Sequence, residues 1–165
     1  MIIGNSNVRG WSQELSLRGV DSTSYVFPSG TVNEMKSRIP NFKNNSLNPS
    51  HIMLHFGDVE ARQNDLNTHV LEKDLSDLKI DIKKMFPASK ILISGLPSEG
   101  VRKLHTKKNI AIINSILQRS SDATTDSIFL DNKKLLVKDG IHFSKKSVNE
   151  ICRTVACFVK KCKPE

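Results

Sequence analysis

Aromatic residues are scarce in this chain. One tryptophan, one tyrosine and seven phenylalanines make up 5% of 165 residues. Aliphatic side chains must therefore build the core, and base stacking on a single nucleic-acid strand has few platforms to use. Cysteine is almost missing: Cys152, Cys157 and Cys162 all lie near the C-terminus. Their number is odd and their spacing fits no zinc pattern. Helical steps of five residues turn about 140° each, so the three cannot share one face. They read as reduced, partly buried thiols of an intracellular protein, cytoplasmic or nuclear. No apolar run approaches the roughly 18 residues of a membrane span, and no signal peptide is visible. Repeats, low-complexity tracts and linkers are missing too, so residues 1–165 read as a single domain. The chain begins almost inside its first strand, as a domain excised from a longer protein would. Acidic residues are in deficit, with 17 Asp and Glu against 25 Lys and Arg, a formal net charge of +8. Such a balance favours polyanionic partners, although lysine-rich surfaces also serve solubility.

What is present is an alternation of short apolar runs and amphipathic stretches. "MII" (1–3), "SYVF" (24–27), "HIMLHF" (51–56), "KILISGL" (90–96) and "SIFL" (127–130) are strand-like and end at Gly, Pro or Asp. Thr31 and Glu34 form a capping box that opens a short helix through Met35 and Ile39. Leu71, Leu75, Leu78, Ile82 and Met85 recur at helical spacing across 66–85. Ile110, Ile113 and Leu117 mark another helix, and Val148, Ile151, Cys152, Val155 and Val159 mark the last. Residues 41–50 read as a surface loop. Alternating strand and helix implies right-handed crossovers and a parallel sheet covered on both faces. The expected fold is an α/β/α sandwich of three layers on about five strands.

Ligands of such sheets bind beyond the carboxyl ends of the strands. Ser6, Gly30, "GDVEAR" (57–62), "GLPSEG" (95–100) and "DNKKLLVKDGIHFS" (131–144) follow the five strands in turn. Nucleophilic catalysis by serine needs a base, an acid to orient it, and donors for an oxyanion. Ser6 at the tip of strand one can be the nucleophile. His142 and Asp139, three apart before the last helix, can be base and orienting acid, with N–H groups at Ser6 and Gly30 for the oxyanion. The plain alternative is a turn serine that caps a following helix, and an Asx turn at Asp139 before a helix capped by Ser144.

In this order, "GNS", a glycine after strand two, a glycine turn after strand three and "DGIH" resemble the SGNH (GDSL-type) hydrolase superfamily over almost the whole chain. With "PSGTVNEM", "ISGLPS" and "DGIHFS" the compact form is similar to esterase domains in the first open reading frame of LINE-type retrotransposons. It is also similar to the OSK domain of Oskar, where catalysis is lost and RNA is bound. The resemblance implies a flavodoxin-like strand order, a triad of Ser6, His142 and Asp139, oxyanion donors at Ser6 and Gly30, an ester substrate, and no metal or organic cofactor. Two departures stand out. Gly4-Asn5-Ser6 replaces Gly-Asp-Ser. Gly57-Asp58-Val59-Glu60 replaces Gly-x-Asn-Asp, whose Asn side chain is an oxyanion donor. Loss of one such donor costs about 10²- to 10³-fold in kcat. Either Asn7, Asn64 or Arg62 takes over, or the site is weak or dead. "FGDVEAR" also looks like the "FGE-(I/V)-D-x-R" version of this block, in which the acidic residues and Arg62 form a salt bridge at the rim.

Other residues have plain readings. His51 and His55, four apart on a strand, point to one face and read as packing rather than metal ligands. His69 and His105 read as solvated. A second functional reading comes from Arg102, Lys103, Lys107, Lys108, Lys133, Lys134, Lys145, Lys146, Lys160 and Lys161. These could form a phosphate-binding surface for RNA or DNA on a domain that has lost catalysis. The acyl group, the alcohol and the oligomeric state are not legible in the sequence.

Overall fold

The computed structural model describes residues 1–40, 48–121, 127–140 and 142–161, the last residue by its backbone only. Its strands are β1 (Ile2–Gly4), β2 (Ser24–Val26), β3 (His51–His55), β4 (Lys90–Ser94) and β5 (Ser127–Leu130). Its helices are α1 (Trp11–Ser16), α2 (Val32–Arg38), α3 (Asp58–Ala61), α4 (Thr68–Met85), α5 (Leu104–Arg119) and α6 (Lys145–Lys161). The sheet is parallel throughout, in the order β2-β1-β3-β4-β5. This is the expected α/β/α sandwich with flavodoxin-like strand order.

Alternation along the strands sends side chains to two separate cores. Ile3, Leu54, Ile52, Ile91 and Ile93 join α2, α4 and α5 on one face. Ile2, Met53 and Leu92 join Trp11 and Leu15 of α1 and Ile151, Cys152 and Val155 of α6 on the other. Both faces are dry, so the central strands read as unbroken apolar runs. Local chemistry sets the helix starts. At α2 the Thr31 side chain accepts from the Glu34 N–H at 3.2 Å, and Glu34 Oε2 accepts from the Thr31 N–H at 2.7 Å. At α6 the Ser144 hydroxyl accepts from the Ser147 N–H at 3.2 Å.

α1 and α3, of six and four residues, have no counterpart in the apolar periodicity, because neither is long enough to repeat a face. Gly4 ends β1 for a steric reason. A Cβ there would sit 2.5 Å from Val8 Cγ1 and 2.7 Å from the His55 carbonyl oxygen. Cys152 is buried and Cys157 exposed on α6, so they face different ways; Cys162 lies outside the described residues. Most of the loop expected at 41–50 lies outside them as well. No described helix is long and apolar enough to cross a membrane.

One histidine sits inside the α1–α6 core. His55 is fully buried, 5.4 Å from the Trp11 ring and 5.3 Å from Phe143 between centroids. Its Nδ1 lies 3.0 Å from Ser94 Oγ, which also accepts from Asn132 Nδ2 at 2.8 Å. His51 lies on the same face, edge-on to Phe158. The pair is packing, as its spacing suggests.

Burial lowers the His55 imidazole from 6.5 to about 3. Below pH 6.5 the unfolded chain gains a proton that the folded chain refuses until about pH 3. The stability this group confers is therefore complete above pH 6.5 and is lost as pH falls toward 3. It should fall by about 2–3 kcal/mol between pH 7 and 4.5. Asp58 and Glu60, raised by burial, act with the opposite sign and are common to parent and variant. Urea midpoints at the two pH values should drop more for the parent than for His55→Gln. Equal drops would place the acid sensitivity elsewhere.

Candidate active site

Ser6 opens a single 3-10 turn, Ser6–Val8, directly after β1. The cap of that turn is Asn5, whose side-chain oxygen accepts from the Asn7 N–H at 3.0 Å. Capping therefore does not occupy the Ser6 hydroxyl, which lies 3.3 Å from His142 Nε2. His142 is held twice by one carboxylate. Its backbone N–H donates to Asp139 Oδ1 at 2.7 Å, and its Nδ1 lies 2.7 Å from Asp139 Oδ2. With Nδ1 protonated against the carboxylate, Nε2 is left as the acceptor facing serine. The Asx turn at Asp139 is present, and the same carboxylate orients the ring.

Two asparagines flank Ser6 and lock it to the rest of the rim. Asn5, buried, donates from Nδ2 to Asp58 Oδ1, and Asn7 donates from Nδ2 to Asp58 Oδ2 at 3.3 Å. Asn7 also accepts at Oδ1 from the Phe143 N–H at 3.2 Å, beside His142. Thus Asn7 connects the nucleophile turn, the turn after β3 and the loop of the base. Burial pushes the Asp58 carboxyl above its ordinary range, and Arg62 at 3.7 Å pulls it back. An aspartate at position 5, as in the Gly-Asp-Ser block, would set two carboxylates against each other here. Asn5 is therefore the complement of Asp58.

The rim salt bridge has one acidic member. Arg62 pairs with Asp58, whereas buried Glu60 accepts from the Val32 N–H at 2.8 Å and caps α2 from across the fold. Of the residues that could replace the missing Asn, Asn7 lines a depression with Ser6 and His142. Arg62 lines a neighbouring cleft, and Asn64 a separate hollow with Asp65 and His69. The Gly30 N–H donates to the Phe27 carbonyl at 2.9 Å, closing the turn after β2. No hydrogen bond engages the Ser6 N–H among the described residues.

The depression beside Ser6 measures about 300 Å³ and is lined by Ser6, Asn7, Arg9, Lys138, His142, Phe143 and Val148. Arg9 and Lys138 are absent from the sequence-based set of site residues, because a single cation in a loop carries no pattern. Of the basic candidates, Arg102, Lys103, Lys107 and Lys108 are exposed where α5 begins, and Lys107 shares a hollow with Lys133. Lys133 pairs with Asp131 at 3.1 Å. Lys134, Lys145 and Lys146 are exposed near the same rim. Lys160 and Lys161 close α6, roughly 25 Å along the helix from Lys145, so the ten do not form one patch. No group of three His, Cys, Asp or Glu suited to a metal occurs among the described residues.

No family model and no curated protein matches the chain. Solved structures do. Est24, a carbohydrate acetylesterase from Sinorhizobium meliloti, superposes with TM-score 0.81 at 12% identity, covering 98% of this chain and 99% of that one. A GDSL-like lipase from Bacteroides thetaiotaomicron VPI-5482 gives 0.72 at 14%, covering 98% and 87%. A family 3 carbohydrate esterase from Clostridium thermocellum gives 0.69 at 19%, covering 99% and 98%. The chain therefore has the fold of the GDSL- and SGNH-type esterases.

Asp58→Ala should destabilise the protein by about 2–4 kcal/mol, since it removes the acceptor that two buried side-chain amides share. Asp58→Asn should cost less, because one acceptor remains and no charge is buried. Urea denaturation of both variants at pH 7 is the check. A change below about 0.5 kcal/mol in Asp58→Ala would show that this carboxylate does not tie the rim together.

Proposed function

We propose that this chain is a serine esterase of SGNH type that cleaves short-chain acyl esters, acetyl esters foremost. One observation carries the reading: the unbroken run Asp139–His142–Ser6, at 2.7 and 3.3 Å, at the carboxyl edge of the sheet. The Ser6–His142 spacing is long for a working hydrogen bond, as is common before substrate binds. The fold shared with acetylesterases supports the same class.

In this reading Ser6 Oγ attacks the ester carbonyl carbon while His142 Nε2 takes its proton. Asp139 stabilises the imidazolium that forms. The tetrahedral oxyanion accepts from the Ser6 N–H, and the Asn7 side-chain amide is the second donor. Gly30 contributes only when its turn bond to Phe27 opens. His142 then protonates the departing alcohol, and the acyl group stays on Ser6. A water deprotonated by His142 attacks that acyl-enzyme, releasing the acid and restoring Ser6. No metal or organic cofactor takes part in this sequence. An open depression of about 300 Å³ suits a short acyl chain.

The test is labelling with a fluorophosphonate probe. The parent should label, Ser6→Ala and His142→Ala should not, and Asp139→Asn should label at least about 10²-fold more slowly. A well-folded parent that does not label, or a Ser6→Ala protein that hydrolyses model esters as fast as the parent, sinks the proposal.

A second reading follows from the cations at the start of α5, of which Lys107 meets Lys133 across one hollow. It is a catalytically silent domain that binds RNA or DNA phosphates. A filter-binding series in rising salt should then give a steep negative slope, reduced by about one for each lysine removed. No retention of RNA or DNA at low salt excludes it.

A further inference from the structure

Two cations beside the candidate nucleophile have no side-chain partner among the described residues. Arg9 and Lys138 line the depression that holds Ser6 and His142. Neither side chain has an ion pair or hydrogen bond among the described residues, and both are exposed. Several other cations have an acid, among them Arg18 with Glu14, Lys36 with Asp74 and Asp77, Arg62 with Asp58, and Lys133 with Asp131.

The backbones of this pair are fixed to the catalytic groups themselves. The Arg9 N–H donates to the Ser6 carbonyl at 3.3 Å, and the Lys138 N–H donates to the His142 carbonyl at 2.8 Å. The two side chains thus extend from the nucleophile's own turn and from the base's own loop. No acidic residue lines the depression. The acids nearest to it are occupied, Asp139 by His142 and Asp58 by Asn5, Asn7 and Arg62. Arg9 and Lys138 are thus the cations whose side chains are open to an ester bound in this hollow.

We propose that this site prefers esters that carry a negative charge, a carboxylate, phosphate or sulfate, which Arg9 and Lys138 hold while Ser6 faces the carbonyl. The inference rests on the esterase reading above. Cations at this place also steady the oxyanion of any ester, neutral ones included. Their effect on substrate choice is consequently a ratio between substrates, not a rate. The anion can lie on the alcohol or on the acyl part, and the two sources call for different probes.

Three chromogenic esters separate these cases: 4-nitrophenyl acetate, its 3-carboxylate analogue, and the 4-nitrophenyl monoester of succinate. Each kcat/KM is divided by the hydroxide-catalysed rate of the same ester. In the parent at low salt, one of the anionic esters should exceed the neutral one by about tenfold, mostly through KM. The ratio should approach one in the double variant Arg9→Gln/Lys138→Gln, and should shrink for the parent in roughly 0.5 M salt. Lys84→Gln, at the opposite end of the sheet, should keep the parental ratio. Fluorophosphonate labelling of the double variant shows that its serine remains active. A parent that cleaves the neutral ester with a ratio near one for both anionic esters overturns this inference and leaves the esterase reading standing. A ratio that survives in the double variant overturns it as well. A parent that cleaves none of the esters and does not label overturns both.

Discussion

The rim of this fold is organised around one partly buried carboxylate. Asp58 enters from the turn after β3 and is met by two side-chain amides from the turn after β1 and by Arg62 from its own helix. A charge taken out of water is tolerated only when its lone pairs are filled, so the two asparagines and Asp58 must be present together. Their geometry dictates the rest. Asn5, bound to Asp58, caps the 3-10 turn and leaves the Ser6 hydroxyl uncommitted. Asn7, bound to the same carboxylate, turns its oxygen to the Phe143 N–H and draws in the loop that carries His142. Three segments distant in sequence are thereby brought to one edge.

The sheet supplies the stage for this. Parallel crossovers bring every strand's carboxyl end to the same side, and the rim loops inherit that placement. Beneath them the core is not wholly apolar. His55, Ser94 and Asn132 form a hydrogen-bonded run through the layer under Phe143. Phe143 packs on His55 and Trp11 while its N–H binds Asn7. The base loop is thus fastened from above by an amide and from below by aromatic contact.

Much of this was legible in the sequence. Long periodic stretches such as Leu71–Ile82 and dry runs such as Ile91–Ile93 could be read directly, because burial on a helix face or on both faces of a sheet leaves a repeat. The order of Ser6, Asp139 and His142 could be read as well. The short elements α1 and α3 could not, since six or four residues do not complete a pattern. Glu60 read as a partner of Arg62 because the two are neighbours in sequence; the fold instead gives it the unpaired N–H at the start of α2. Gly30 read as a donor, and its N–H closes the turn to Phe27. Runs of lysine read as one surface, but Lys160 and Lys145 stand at opposite ends of a helix. For Glu60 the missing information was a contact between segments far apart in the chain, for Gly30 a turn closed within three residues.

The pairing of Asn5 and Asn7 with Asp58 bears on chemistry as well as on folding. A carboxylate beneath the nucleophile turn disfavours a developing oxyanion, whereas a neutral Asn side chain would donate to it. Here the opposing charge is contained: two amides and Arg62 absorb Asp58, and Asp139 is turned toward His142. With both acids engaged, the charges left facing the depression are those of Arg9 and Lys138. Two cations at the mouth of the site add long-range attraction to whatever holds the carbonyl. Such an arrangement favours a substrate that brings an anion of its own, because only that substrate is held by the cations before the carbonyl carbon begins to react.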